Sequence, residues 1–149
     1  MEMIKIKVFI GVDHNGVKLK ELIAKYLDDN GIENELVSIN NTPDDDYPDI
    51  AYDVCKKVLD ANGLGILVCG TGIGMSIAAN KVKGIKCARV IDEEDAITAK
   101  NHNGANVIAF SSKLKVSNIK KIIDAFILTR NPSEERHIRR VSKIDKFEE

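Results

Sequence analysis

Cys69 is followed by Gly70, Gly72 and Gly74, and these residues sit inside the stretch LGILVCGTGIGMSIAANK at residues 64–81. The apolar run Ile66-Leu67-Val68 has the character of a strand buried on both faces of a parallel sheet. The glycines let the backbone turn tightly and bring successive N–H groups close to an anion, with no Cβ in the way. Met75-Ser76-Ile77-Ala78-Ala79 forms helix readily, and its N-terminus turns free N–H groups and a positive dipole end toward the same spot. Such a terminus favours negative charge on the neighbouring sulfur, so Cys69 reads as a base or nucleophile. The competing reading is a small buried hydrophobe at a strand end, the commoner role of a free cysteine. GTGIGM also has the outline of a dinucleotide fingerprint, but no acidic residue closes a clear second strand about twenty positions on, which disfavours NAD.

Other polar residues bracket this loop in the chain. Asp13 and His14 end the first apolar run; His102 and Asn103 precede a glycine; Arg136, His137 and Arg140 lie near the C-terminus. Arg136 and Arg140 are one helical turn apart with His137 adjacent, a spacing that can grip a phosphate through several charge-assisted bonds. Each has a plainer reading: His14 as a turn residue, His102 as a helix cap, the arginines as a solvated face. The polar stretch NNTPDDDYP holds three consecutive aspartates. With no histidine or second carboxylate cluster beside them they read as a solvated loop rather than a metal site.

The chain of 149 residues fits one domain, residues 1–149, large enough to bury a real core. Its net charge of -1 provides no basic field for nucleic acid or an anionic membrane, so any anionic ligand must be held locally. The three cysteines show neither paired nor zinc-ligand spacing, which argues against a disulfide framework or structural zinc. No signal segment or long apolar span is evident, and a cytoplasmic protein is expected.

Strands are expected at residues 4–12, 35–39, 66–68 (the run ending at Cys69), 86–91 and 106–110. Helices are expected at residues 17–28, 49–59 and 75–79, from Asp92 to about Asn101, and over Val116–Leu128. A final helix should begin at Asn131-Pro132-Ser133-Glu134 and carry the arginines. This alternation implies right-handed crossovers and a three-layer α/β/α Rossmann-like domain with a five-stranded parallel sheet and a C-terminal helix. The strand order should start 2-1-3, with the last two strands in either order. Ligands bind such sheets at the carboxyl ends of the strands. Asp13, His14 and Cys69 should therefore share one mouth. His102 and Asn103 lie ahead of strand five, at a helix end, and the topology of one chain does not bring them there; a partner subunit would.

The pattern resembles the ribose-5-phosphate isomerase B family, with its galactose-6-phosphate and allose-6-phosphate isomerase relatives. The resemblance is carried by Asp13-His14-x-Gly16, Asp46-Tyr47-Pro48, the block from Cys69-Gly70-Thr71-Gly72 through Asn80-Lys81, His102-Asn103 with Asn106-Val107, and Arg136-His137-x-x-Arg140-Val141. It implies a cofactor-free, metal-free aldose-ketose isomerase of a sugar phosphate, working through an enediolate in a homodimer, or a dimer of dimers, with sites between subunits. Cys69 would be the base, and the backbone of Gly70, Gly72, Ile73 and Gly74 would stabilise the oxyanion. His102, helped by Asp13 and Thr71, would open the sugar ring. Asn103 would hold a sugar oxygen, Tyr47 would line the pocket, and His14, Arg136, His137 and Arg140 would hold the phosphate. The chain departs from the family's pattern at Glu134-Glu135, where a Gly-Gly pair is usual, at Lys113, where arginine is frequent, and at Ile39-Asn40-Asn41. Ribose 5-phosphate is the expected substrate; a hexose 6-phosphate, or a non-catalytic phosphosugar-binding role, is the alternative.

Overall fold

The computed structural model describes residues 5–38 and 41–148. Five parallel strands, β1 (Lys7–Val12), β2 (Glu33–Leu36), β3 (Leu64–Cys69), β4 (Cys87–Arg89) and β5 (Val107–Ser111), form one sheet in the order β2-β1-β3-β5-β4. All six residues of β3 are buried, which suits the centre of the sheet. β4 has only three residues, none of them fully buried, and takes the edge. The order of the last two strands, left open by the sequence, is thus fixed with β5 inside. Val12 pairs with Val68 and Cys69 with Ser111, so the carboxyl ends of the three inner strands finish level.

Helices α1 (Val17–Asp29), α4 (Glu93–Asn101) and α5 (Val116–Leu128) cover one face, where Ile23, Leu27, Ala96, Ile119, Ile122 and Phe126 are buried against Val8, Ile10, Ile66 and Ile108. Helices α2 (Tyr47–Ala61) and α3 (Ile73–Ala79) cover the other, with Ala51, Val54, Cys55, Met75 and Ala79 against Phe9, Leu67 and Ala109. Three layers result, as the alternating pattern requires. Among the described residues no helix is long and apolar enough to cross a membrane.

Several boundaries differ from expectation. The second strand runs over Glu33–Leu36 because its register is set against Lys7–Ile10 of β1; Ile39 and Ile4, expected in strands, lie outside the described residues. α2 starts two residues early, since Pro48 has its φ preset for a first helical turn. α3 starts at Ile73, directly after Gly72. The last helix, α6 (Glu135–Lys146), begins later than Asn131 because Glu134 is extended (φ -78°, ψ 133°) and its carbonyl accepts the first bonds, from His137 and Ile138. At the end of α1, Gly31 has φ +71°, the left-handed conformation expected of a glycine that stops a helix.

Candidate active site

Two groups of polar side chains form, at different ends of the sheet. The first lies at the carboxyl ends of β1 and β3. Cys69, the last residue of β3, is buried, and its Sγ accepts a hydrogen bond from the Gly72 N–H at 3.1 Å. The loop can double back this far only because Gly72 has φ +79° and packs on strand β5. A Cβ there would lie 2.8 Å from the Phe110 Cα. Thr71 Oγ1 accepts from the Ile73 N–H at 3.1 Å, and the Gly72 carbonyl accepts from the Ser76 N–H at 3.2 Å. These pairings leave the N–H groups of Gly70, Thr71 and Gly74 without a protein acceptor among the described residues. Unpaired donors gathered beside a thiol can receive a developing oxyanion.

The loop is held from outside. Ser111 Oγ donates to the Gly70 carbonyl at 2.7 Å, and Arg89 Nε, reaching in from the edge strand, donates to the Thr71 carbonyl at 3.1 Å. The Tyr47 ring covers Gly74 so closely that a Cβ on that glycine would lie 2.6 Å from its Cε1. Tyr47 and Ile73 are themselves exposed at the mouth.

Asp13 is buried, and its N–H donates to the Val68 carbonyl, locking the end of β1 to β3. Its Oδ1 accepts from the Asn15 N–H at 2.9 Å and caps the short 3-10 turn His14–Gly16. His14 stands exposed beside it, with Nδ1 2.9 Å from Asp45 Oδ1. That hydrogen bond, opposed by burial and reinforced by the charges of Asp13, Asp45 and Asp44, raises the pKa of the imidazole. Burial works against the Asp45 carboxylate, but hydrogen bonds from Asn41 and His14 outweigh it and hold that carboxyl below its ordinary range.

The second group lies where α4 turns into β5, at the amino end of the sheet. His102 caps α4, and its ring stacks on His137 of α6 with centroids 4.1 Å apart and planes 14° from parallel. His137 is buried, and its Nε2 has no hydrogen-bond partner among the described residues. Burial lowers its pKa, helped by His102, Arg136 and Arg140 and opposed by Glu134. Arg136 Nη2 is 3.0 Å from Glu134 Oε2, which is also 3.7 Å from His137 Nε2. Asn103 lines a neighbouring cavity of about 510 Å³ together with Cys87, Ile144 and Phe147. No described hydrogen bond or ion pair joins this group to the Cys69 loop.

The other thiols are different in kind. Burial pushes Cys55 up to about 12 and Cys87 higher still, which favours the protonated thiol at both. Only Cys69 sits among backbone donors.

Residues 8–144 match the family model described as Ribose/Galactose Isomerase. This chain belongs to that family. Among solved structures of similar proteins, ribose-5-phosphate isomerase B from Mycoplasma genitalium with bound ribulose-5-phosphate is 39% identical, with a TM-score of 0.91 over 98% of each chain. The type B ribose 5-phosphate isomerase of Trypanosoma brucei is also 39% identical, with a TM-score of 0.90 over 95% of this chain and 98% of that one. The ribose-5-phosphate isomerase B of Mycobacterium tuberculosis is 34% identical over 96% of this chain and 90% of its own length.

Against the residues expected from sequence, the fold gathers Asp13, His14, Tyr47, Cys69, Gly70, Thr71, Gly72, Ile73 and Gly74 at one mouth, and His102, Asn103, Arg136, His137 and Arg140 in a second place. Sequence reasoning missed Asp45, Asn41, Arg89 and Ser111. The three-aspartate stretch is a solvated loop only at Asp44 and Asp46, since Asp45 is turned in, its side chain 13% exposed.

Proposed function

We propose that this protein is an aldose-ketose isomerase that interconverts ribose 5-phosphate and ribulose 5-phosphate through an enediolate. The observation that carries the reading is the Cys69 thiol at the head of a loop whose Gly70, Thr71 and Gly74 N–H groups have no protein acceptor among the described residues. In the forward direction Cys69 takes the C2 proton of the open-chain aldose and returns it to C1. The hydroxyl proton passes from O2 to O1 in the same interval. The negative charge that builds on the enediolate oxygens falls to the free N–H groups, which are already oriented and need no reorganisation.

Before that step the sugar ring must open, a general acid/base transfer. His102 is the group suited to it, with Asp13 and Thr71 assisting, and Asn103 holds a sugar hydroxyl. His14, Arg136, His137 and Arg140 supply the cationic and hydrogen-bonding set for a dianionic phosphate. Because His102 and the arginines lie away from Cys69 in one chain, we take the working site to be composite: the Cys69 mouth of one copy faces the His102–Arg140 group of a second, in a homodimer. The same reading puts the enzyme in the cytoplasm and in pentose phosphate metabolism. A hexose 6-phosphate is the second reading. It is favoured by the family's galactose-acting branch and by Glu134, which alters the charge beside the arginines.

The test is isomerisation of ribose 5-phosphate by the purified protein in EDTA, alongside a panel of hexose 6-phosphates. Cys69→Ala should lose at least about a thousandfold in kcat while still binding substrate. Turnover surviving in that variant would remove Cys69 as the base. A higher kcat/KM on a hexose phosphate would transfer the assignment to the second reading.

A further inference from the structure

Of three consecutive acids in the loop before α2, Asp44 and Asp46 are exposed, and Asp45 is turned against the mouth. Both of its oxygens are occupied. Oδ1 accepts from His14 twice, from the ring Nδ1 at 2.9 Å and from the backbone N–H at 3.3 Å. Oδ2 accepts from Asn41 Nδ2 at 2.9 Å, so the carboxylate is pinned at both ends. Asn41 is pinned in turn: the same Nδ2 donates to the Val12 carbonyl at 2.8 Å, and its Oδ1 accepts from Lys20 Nζ at 2.8 Å. Lys20 is a buried cation of α1 that also donates to the Ser38 carbonyl at 3.2 Å. A continuous relay therefore runs from a buried lysine through an amide and a carboxylate to an exposed imidazole.

We propose that Asp45 is a positioning residue that fixes the His14 ring as a donor aimed at the substrate phosphate, with Asn41 and Lys20 holding Asp45 in turn. The inference rests on the phosphosugar isomerase reading above. A carboxylate on Nδ1 makes that nitrogen the donor, which leaves Nε2 as the ring atom free to face a ligand. Among the described residues Nε2 has Asn15 Nδ2 as its polar neighbour, at 3.4 Å. When a phosphate arrives, the protonated ring offers it Nε2–H, and Asp45 balances the charge from behind. The groups facing the imidazole are Asp13, Asp44, Asp45 and the Asn15 amide; the three acids all favour the cation, and the hydrogen bond donated to Asp45 acts most strongly. A raised folded pKa means the imidazolium is present at lower pH and is lost as pH rises through that value. Removing the Asp45 charge should bring the loss to lower pH.

The experiment follows the His14 imidazole by NMR titration in the full-length protein and in Asp45→Asn, together with ribose 5-phosphate kinetics and inhibition by inorganic phosphate. In Asp45→Asn the His14 midpoint should fall, and KM and the inhibition constant for phosphate should rise about tenfold, the scale of a charge-assisted bond lost. Within the same comparison kcat should stay within about twofold, and the alkaline limb of kcat/KM should move to lower pH. Asp45→Glu should restore part of each change, and Asn41→Ala should shift the midpoint in the same direction by less, which keeps the relay testable if Asp45→Asn folds poorly. An unmoved His14 midpoint, or kcat and KM falling together at every pH, would overturn the proposal. If the unaltered protein turns over no sugar phosphate, the isomerase reading fails by itself, and the His14 midpoint with the inorganic phosphate affinity still decides the role of Asp45.

Discussion

Glu134 places a carboxylate 3.0 Å from Arg136 and 3.7 Å from the unpartnered Nε2 of His137, so an internal anion sits where the proposed phosphate would bind. The pair is exposed, both side chains near 60%, and an exposed ion pair holds together only weakly. A dianionic phosphate should displace it at a modest cost. Glu134→Gln should therefore lower KM for ribose 5-phosphate by about two- to threefold with kcat unchanged, and the gain should shrink in high salt. A rise in KM would mean that the carboxylate orients the guanidinium rather than competing for it. At this scale the sequence was legible where a residue's neighbours in the chain define its chemistry. Cys69 at a strand end before three glycines is such a case, as is His137 between two arginines one turn apart. It was silent where the fold does the choosing. Nothing in three adjacent aspartates tells which one turns inward, and Arg89 reads as one more strand residue until β4 is known to be the edge from which it can reach Thr71.

The loop between β3 and α3 depends on one backbone conformation. Gly72 at φ +79° lets its N–H turn back onto Cys69 Sγ while its Cα packs on the backbone of Phe110. Gly72→Ala must adopt a left-handed conformation and push β5 aside, at a cost of about 3 kcal/mol. Urea denaturation should show that loss with an unchanged m-value, and turnover should fall further than stability, since the donors would be misaimed. A stable, fully active Gly72→Ala would refute the link between this turn and the oxyanion donors. Elements with a long apolar period were readable to the residue: α5 occupies Val116–Leu128 as expected, with Ile119, Ile122, Ile123 and Phe126 on one buried stripe. Ends set by tertiary contacts were not. The start of α6 carried the signals of a cap and a first-turn proline at Asn131 and Pro132, yet Glu134 stays extended and the helix waits until Glu135.

For the molecule as a whole, crossover rules gave the start of the strand order but allowed β4 and β5 to exchange, because both crossovers are right-handed. What decides is burial: β5 presents four fully buried residues out of five, and β4 none out of three. That order keeps the Cys69 mouth at the carboxyl edge and leaves His102, at the amino end of β5, on the far side. α6 joins His102 there through the His137 stack instead of reaching the mouth. On the proposed reading one chain thus carries two half-sites, the Cys69 thiol with its free N–H donors as base and oxyanion site, and His102 with the arginines as acid/base group and cationic grip. Two copies related by a two-fold axis can unite them twice over. The consequence can be measured by mixing. Cys69→Ala and His102→Asn should each be inactive alone. After unfolding and refolding together in equal amounts, random pairing makes half the dimers mixed, and each mixed dimer has one site with both defects and one with neither, so about one quarter of the original activity should return. Recovery at that level, absent when the two proteins are mixed without subunit exchange, would establish the shared site. No recovery in dimers shown to be mixed would put the acid/base histidine and the thiol of each site in the same chain.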